Sequence, residues 1–140
     1  MEIGKLKVEE LERIVQKCWS KETSFDPDNW TPENPAWGQC AMTSLIVNDY
    51  LGGKIVRAFV RADGKRIRHY FNIIDDSSVV DLTRQQFPEG TKVPKGVERN
   101  TIFPSTRDYL LSAPYTKDKY KLLKARFEQA RQNEKVGVSL

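Results

Sequence analysis

Along residues 7 to 20 the apolar side chains return every three or four positions. Leu11, Ile14, Val15, Cys18 and Trp19 share one face of a helical period, which predicts an amphipathic helix with Cys18 in its buried stripe. A free cysteine in such a stripe reads as a small, inert core residue. The periodicity then breaks. The stretch SFDPDNWTPENPAW, Ser24 to Trp37, carries Pro27, Pro32 and Pro35, which cannot continue a helix and bias their predecessors toward extended backbone. Trp30 and Trp37 need something to pack on, so an ordered loop is expected rather than a flexible linker.

After Gly38 the helical spacing returns in AMTSLIVNDYL, with Met42, Leu45, Ile46 and Tyr50 in register and Leu51-Gly52-Gly53 as a C-terminal stop. Apolar residues lie on most sides of this segment, as expected of a central, buried helix. Strand alternation follows in KIVRAFVRA (54–62) and RIRHYFNII (66–74), joined by the hairpin signal Asp63-Gly64. Asp75-Asp76-Ser77-Ser78 turns the chain into a third strand, VVDLT (79–83). Residues 84–104 read as irregular loop. Ser105-Thr106-Arg107-Asp108 resembles a capping box opening a short helix through Leu111, with Pro114 as its stop. Thr116 is placed to cap a last helix through about Gln132, striped by Tyr120, Leu123, Phe127 and Ala130. The order predicts one α+β domain over residues 1–140, a central helix on a small antiparallel sheet flanked by N- and C-terminal helices.

Composition narrows the chemistry. With 140 residues, 39% hydrophobic and 30% charged, the chain is long enough for a core and too rich in apolar residues for disorder. No apolar run is long enough to span a membrane, and the N-terminus lacks the core of a signal peptide, so a cytoplasmic protein is expected. Two cysteines and one histidine do not suggest a disulfide framework or a structural zinc site, and no cofactor is implied. The net charge of +4 raises nucleic-acid binding, but the densest positive stretch, TKDKYKLLKARFEQARQ, reads as a solvated helix face.

Cys40 begins the central helical pattern. A thiol at pKa about 8.5 is mostly protonated at neutral pH, and a helix N-terminus favours the thiolate. The free N–H groups there can also hold an oxyanion, with the Gln39 side chain or Trp37 as a further donor. His69 is the one histidine available as a base. Asp81, inside the apolar run VVDL, is a candidate to orient it, and Asn72 is the alternative on the same hairpin. Strand register separates them. If Ile74 pairs with Val79, Asn72 faces Asp81 and His69 points to the other side. If the turn is odd in length or bulged, Phe71 pairs with Asp81, and His69 and Asp81 become diagonal neighbours on one face, about 7–8 Å apart at the backbone. A Cys40-His69-Asp81 triad therefore requires the odd turn.

The residues NPAWGQCAMTSL (34–45), DYLGG (49–53), HYFN (69–72) and VDLTRQQFP (80–88) resemble the YunG-like family of small bacterial proteins, whose pattern runs NPAxGQCAVTAL, DYxGG, SHYWN and DLTRxQF. Arg68 stands where that pattern has Ser. More distantly, Gly38-Gln39-Cys40 resembles the GQC of transglutaminases, which share a papain-like core and the chain order Cys, His, Asp. This resemblance implies a papain-like fold and an acyl-thioester mechanism. Cys40 would attack a peptide or carboxamide carbonyl, His69 would act as base then acid, and Asp81 would orient His69. The Cys40 N–H, helped by Gln39, would hold the oxyanion. The expected partner is a peptide, protein or small amide substrate. The alternative is an inactive papain-like module binding a peptide or protein through Trp30, Trp37, Tyr70 and Phe87.

Overall fold

The computed structural model describes residues 6–75, 77–98 and 102–137. Helix α1 spans Val8–Cys18 and buries Leu11, Ile14, Val15 and Cys18, the expected stripe. Trp19 lies just beyond the helix in extended backbone, and its indole N–H donates to Thr43 Oγ1 of the central helix at 3.0 Å. That helix, α2, spans Cys40–Leu51 and is buried continuously from Ala41 to Val47. It ends where the Asn48 amide donates to the carbonyls of Gly52 and Gly53.

Strands β1 (Lys54–Ala62), β2 (Lys65–Ile74) and β3 (Ser78–Val80) form one antiparallel sheet in the order β1-β2-β3. Asp63 and Gly64 both take positive φ, 51° and 75°, the geometry that a two-residue hairpin turn needs to match strand twist. β3 is shorter than the expected 79–83, because pairing stops at Asn72↔Val80. The turn before it is the odd one: Ile74 pairs with Ser78 and Ile73 with Val79. Its first residue, Asp75, sits at φ 50°, a left-handed conformation that a short polar side chain tolerates. Asp76 lies outside the described residues.

Each face of the sheet has its own cover. Ile55, Tyr70 and Val80 join the main core with α2, whereas Val56, Ala58 and Phe71 form a second cluster beneath Val93. The segment after β3 supplies this second cover. It contains a 3₁₀ turn at Arg84–Gln86, and Val97 exchanges two backbone hydrogen bonds with Arg57 on the outer edge of β1. Of the loop expected over 84–104, residues 99–101 lie outside the described residues.

Helix α3 spans Thr106–Ser112, with Ser105 as its cap: the Ser105 hydroxyl accepts from the Asp108 N–H at 3.1 Å. Helix α4 runs Pro114–Lys135 and corrects the reading of this region. Pro114 starts α4 rather than merely stopping α3, since proline at the first helical position sacrifices only an N–H that has no intrahelical partner. Thr116 is therefore inside the helix and buried, not its cap. Leu123, Phe127 and Ala130 complete the core against α1 and α2, and Asp49 of α2 accepts from Arg107, Tyr120 and Lys124. Among the described residues no helix is long and apolar enough to cross a membrane.

Phe127 is fully buried and packs on Tyr50 with ring centroids 5.3 Å apart. Phe127→Ala is expected to cost about 3–5 kcal/mol and Phe127→Leu distinctly less, read as shifts of the urea unfolding midpoint.

Candidate active site

Three separate segments meet at the start of α2. The first is the proline-rich loop, held by its own polar side chains. Ser24 Oγ donates to the Trp37 carbonyl at 2.8 Å, and the Phe25 N–H donates to the Gly38 carbonyl at 2.8 Å. Gly38 has φ 74°, and a Cβ there would lie 2.2 Å from Ser24 Oγ, so only glycine fits this crossing of the two chain segments. Trp30 and Trp37 donate to the Pro35 carbonyl and to Asp26 Oδ2. From the far side, α4 pins the loop: the Tyr115 hydroxyl donates to the Phe25 carbonyl and the rings of the two residues meet edge to face. The result is a rigid approach to Cys40, which is half-buried at the first position of α2, where the helix N–H groups have no intrahelical acceptors.

The second segment is β2. Alternation puts His69 and Phe71 on one face and Tyr70 and Asn72 on the other. Asn72 donates from Nδ2 to the Ser44 carbonyl at 3.0 Å, locking β2 to the first turns of α2. His69 has no exposed surface; it stacks on Phe71 at 5.5 Å and meets Phe87 edge to face at 5.0 Å.

The third segment begins where β3 ends. The odd turn pairs the chain so that position 81 falls opposite Phe71, and the Asp81 carboxylate reaches the ring of His69, with Nε2 2.8 Å from Oδ2. Its other oxygen, Oδ1, is buried and meets no donor among the described residues. Cys40 lies near enough to the ring to act on its protonation. Burial alone would drive the proton off His69. Hydrogen bonds to Asp81 and Cys40, together with their negative charge, outweigh burial and hold its pKa up at about 9.

His69 and Asp81 are thus in direct contact, with Cys40 near enough to the ring to act on its pKa. The other residues expected at the site have different surroundings. Gln39 is fully buried in the loop, where its Nε2 donates to the Ser20 carbonyl at 2.9 Å and its Oε1 accepts from Thr23 Oγ1 at 2.8 Å. Trp37 lines a cavity of about 250 Å³ in front of Cys40, together with Phe25, Ala41, Ile67 and Arg68. Asn72 belongs to the α2 contact, not to His69. Tyr70 and Phe87, named above as groove aromatics, are buried. One residue of this site escaped sequence reasoning. Gln86, 5% exposed, lines the same cavity and places Nε2 3.4 Å from His69 Nδ1. The signal that could have found it is its place in the resembling stretch DLTRQQF, which begins at Asp81. Among the described residues no group of three or more potential metal ligands clusters.

The arrangement is that of an α+β protein with a thiol at a helix start and a buried imidazole–carboxylate pair beside it. The profile of the YunG protein family matches residues 7–132, and the chain belongs to that family. It is 34% identical over 80 residues to the uncharacterized protein YunG of Bacillus subtilis (strain 168), a match covering 57% of this chain and 63% of that protein. No solved structure matches the chain significantly.

Folding raises His69 from its ordinary value of 6.5 to about 9, so the protonated ring stabilises the folded chain fully below about 6.5. That contribution is lost as pH rises through about 9. As the one histidine of the chain, His69 can be followed alone by NMR. Its titration midpoint is expected near 9 and should fall in Asp81→Asn; an unchanged midpoint in that variant would remove Asp81 as the group holding the proton.

Proposed function

We propose that this protein is a cysteine-dependent hydrolase or acyltransferase of papain-like arrangement, acting on a peptide or carboxamide bond. The observation that carries the reading is the ring of His69, bonded through Nε2 to Asp81 at 2.8 Å and near enough to Cys40 for the two to interact. A nucleophile paired with a base, itself oriented by a third group, is the recurrent solution for acyl transfer. The raised pKa of His69 supports an imidazolium beside Cys40 at neutral pH, and the N-terminal N–H groups of α2 favour negative charge at that end of the helix.

The chemistry is written as two half-reactions. The Cys40 sulfur attacks the carbonyl carbon, the S–C bond forms, and the carbonyl electron pair moves onto oxygen beside the Cys40 N–H. The tetrahedral species collapses, the C–N bond breaks, and the proton on His69 passes to the leaving amine. Water or an amine then attacks the thioester while His69 takes its proton, and the Cys40 thiolate is released. Asp81 keeps its charge throughout and stabilises the imidazolium. The apolar walls of the cavity, Phe25, Trp37, Ala41 and Ile67, suit the flank of an amide substrate, with Arg68 adding positive charge at its edge.

Alkylation by iodoacetamide at pH 6–7 tests the nucleophile. Cys40 is expected to react well ahead of Cys18, whose thiol is pushed up by burial. Cys18→Ser should keep the fast phase and Cys40→Ser should abolish it. If Cys40 reacts no faster than a free thiol in the same buffer, the proposal fails. Once an amide substrate is in hand, Asp81→Asn should lower turnover by about 100-fold or more with Cys40 unchanged.

A further inference from the structure

An acyl-thioester route needs donors for the oxyanion, and the N–H of Cys40 supplies one. A second is normally present, since each such donor contributes about 10²–10³ in rate. The side chains nearest to Cys40 in sequence are held by other partners. Both ends of the Gln39 amide are bonded within the 20–24 turn, and the Trp37 indole N–H is held by Asp26 at 3.0 Å.

We propose that Gln86 is the second oxyanion donor, an inference that rests on the acyl-thioester reading above. Its backbone carbonyl accepts from Asn34 Nδ2 at 3.0 Å, which anchors the 3₁₀ turn against the proline-rich loop. Its side-chain oxygen faces the Gly38 N–H at 3.4 Å. That N–H can only donate, so Oε1 must lie on this side and Nε2 on the other. The two protons of Nε2 then point to Thr83 Oγ1 at 3.2 Å and to His69 Nδ1 at 3.4 Å. The first bond holds the amide in plane. The second is long and depends on Nδ1 having a free lone pair.

That dependence links the donor to the reaction. In the imidazolium form of His69, Nδ1 carries a proton and is no acceptor, so one Gln86 N–H is without that partner. Attack by the Cys40 sulfur places negative charge on the carbonyl oxygen. Gln86 lines the cavity in front of Cys40, so this N–H has that oxygen as an acceptor. When the intermediate collapses and Nδ1 gives its proton to the leaving amine, the N–H returns to Nδ1. Donor strength at the oxyanion therefore rises and falls with the protonation of His69.

The test compares two reactions of the same thiol. Acylation by p-nitrophenyl acetate passes through an oxyanion, whereas alkylation by iodoacetamide does not. The ratio of the two rates at one pH cancels any change in thiolate fraction or in access to Cys40. In Gln86→Met, which keeps the chain length and loses the donor, this ratio is expected to fall by about 10²-fold. Gln86→Glu keeps an oxygen facing Gly38 and also lacks the donor; it should show the same fall and serves if the Met variant does not fold. A ratio unchanged from wild type overturns the assignment, as does an equal loss in both reactions. If wild-type Cys40 acylates no faster than a free thiol while Cys40→Ser is indistinguishable from it, the acyl-thioester reading itself falls and takes this inference with it.

Discussion

A carboxylate whose side chain is only 9% exposed, with one oxygen lacking a donor, needs a strong partner, and for Asp81 that partner is His69. Phe71 and Phe87 flank the imidazole, which has no exposed surface, and this burial strengthens the attraction and makes the loss of either member expensive. Removing one side of such a pair costs about 3–5 kcal/mol, because the other is left buried and uncompensated. The candidate site is therefore part of the fold. The covering segment after β3, the odd turn before it and the packing over Phe71 all serve to keep one imidazole and one carboxylate adjacent.

β2 divides this work between its faces. Tyr70 and Asn72 join the sheet to α2, and the bond from Asn72 to the Ser44 carbonyl sets how far the helix can slide along the strand. His69 and Phe71 serve the opposite cluster. A side chain on one face fixes where Cys40 stands, and the other face holds the imidazole whose protonation Cys40 affects. The long helix α4 acts at a greater remove. By holding the loop at Phe25, it fixes the approach that leads through Gly38 to Cys40.

Much of the architecture was legible because one-sided burial leaves a spacing in the chain. The stripe of α1, the continuous apolarity of α2, the hairpin at Asp63-Gly64 and the Ser105 cap each follow from local chemistry. Pro114 was misread because a proline both ends and begins helices, and only the packing of α4 decides between them. The site was legible in its charged members, since a lone histidine and a carboxylate in an apolar run are conspicuous. Its amides were not. Gln39 and Gln86 are the same residue type in two similar segments. Which of them turns to the cleft depends on Ser20 and Thr23, 19 and 16 residues away from Gln39. No local pattern carries that information.

The dipeptide Val79-Val80 has a consequence of its own. Val80 faces the core and Val79 is 64% exposed, so sliding β3 by one position would exchange one valine for its twin. The core could not tell the two spellings apart. Asp81 can, because in the slipped frame it would turn beneath α2 toward Asn72 and leave its imidazole behind. The carboxylate thus proofreads the strand it follows. A single residue gained or lost between Ile74 and Ser78 would be a frameshift in three dimensions, written in valines that look correct and betrayed by one misplaced charge.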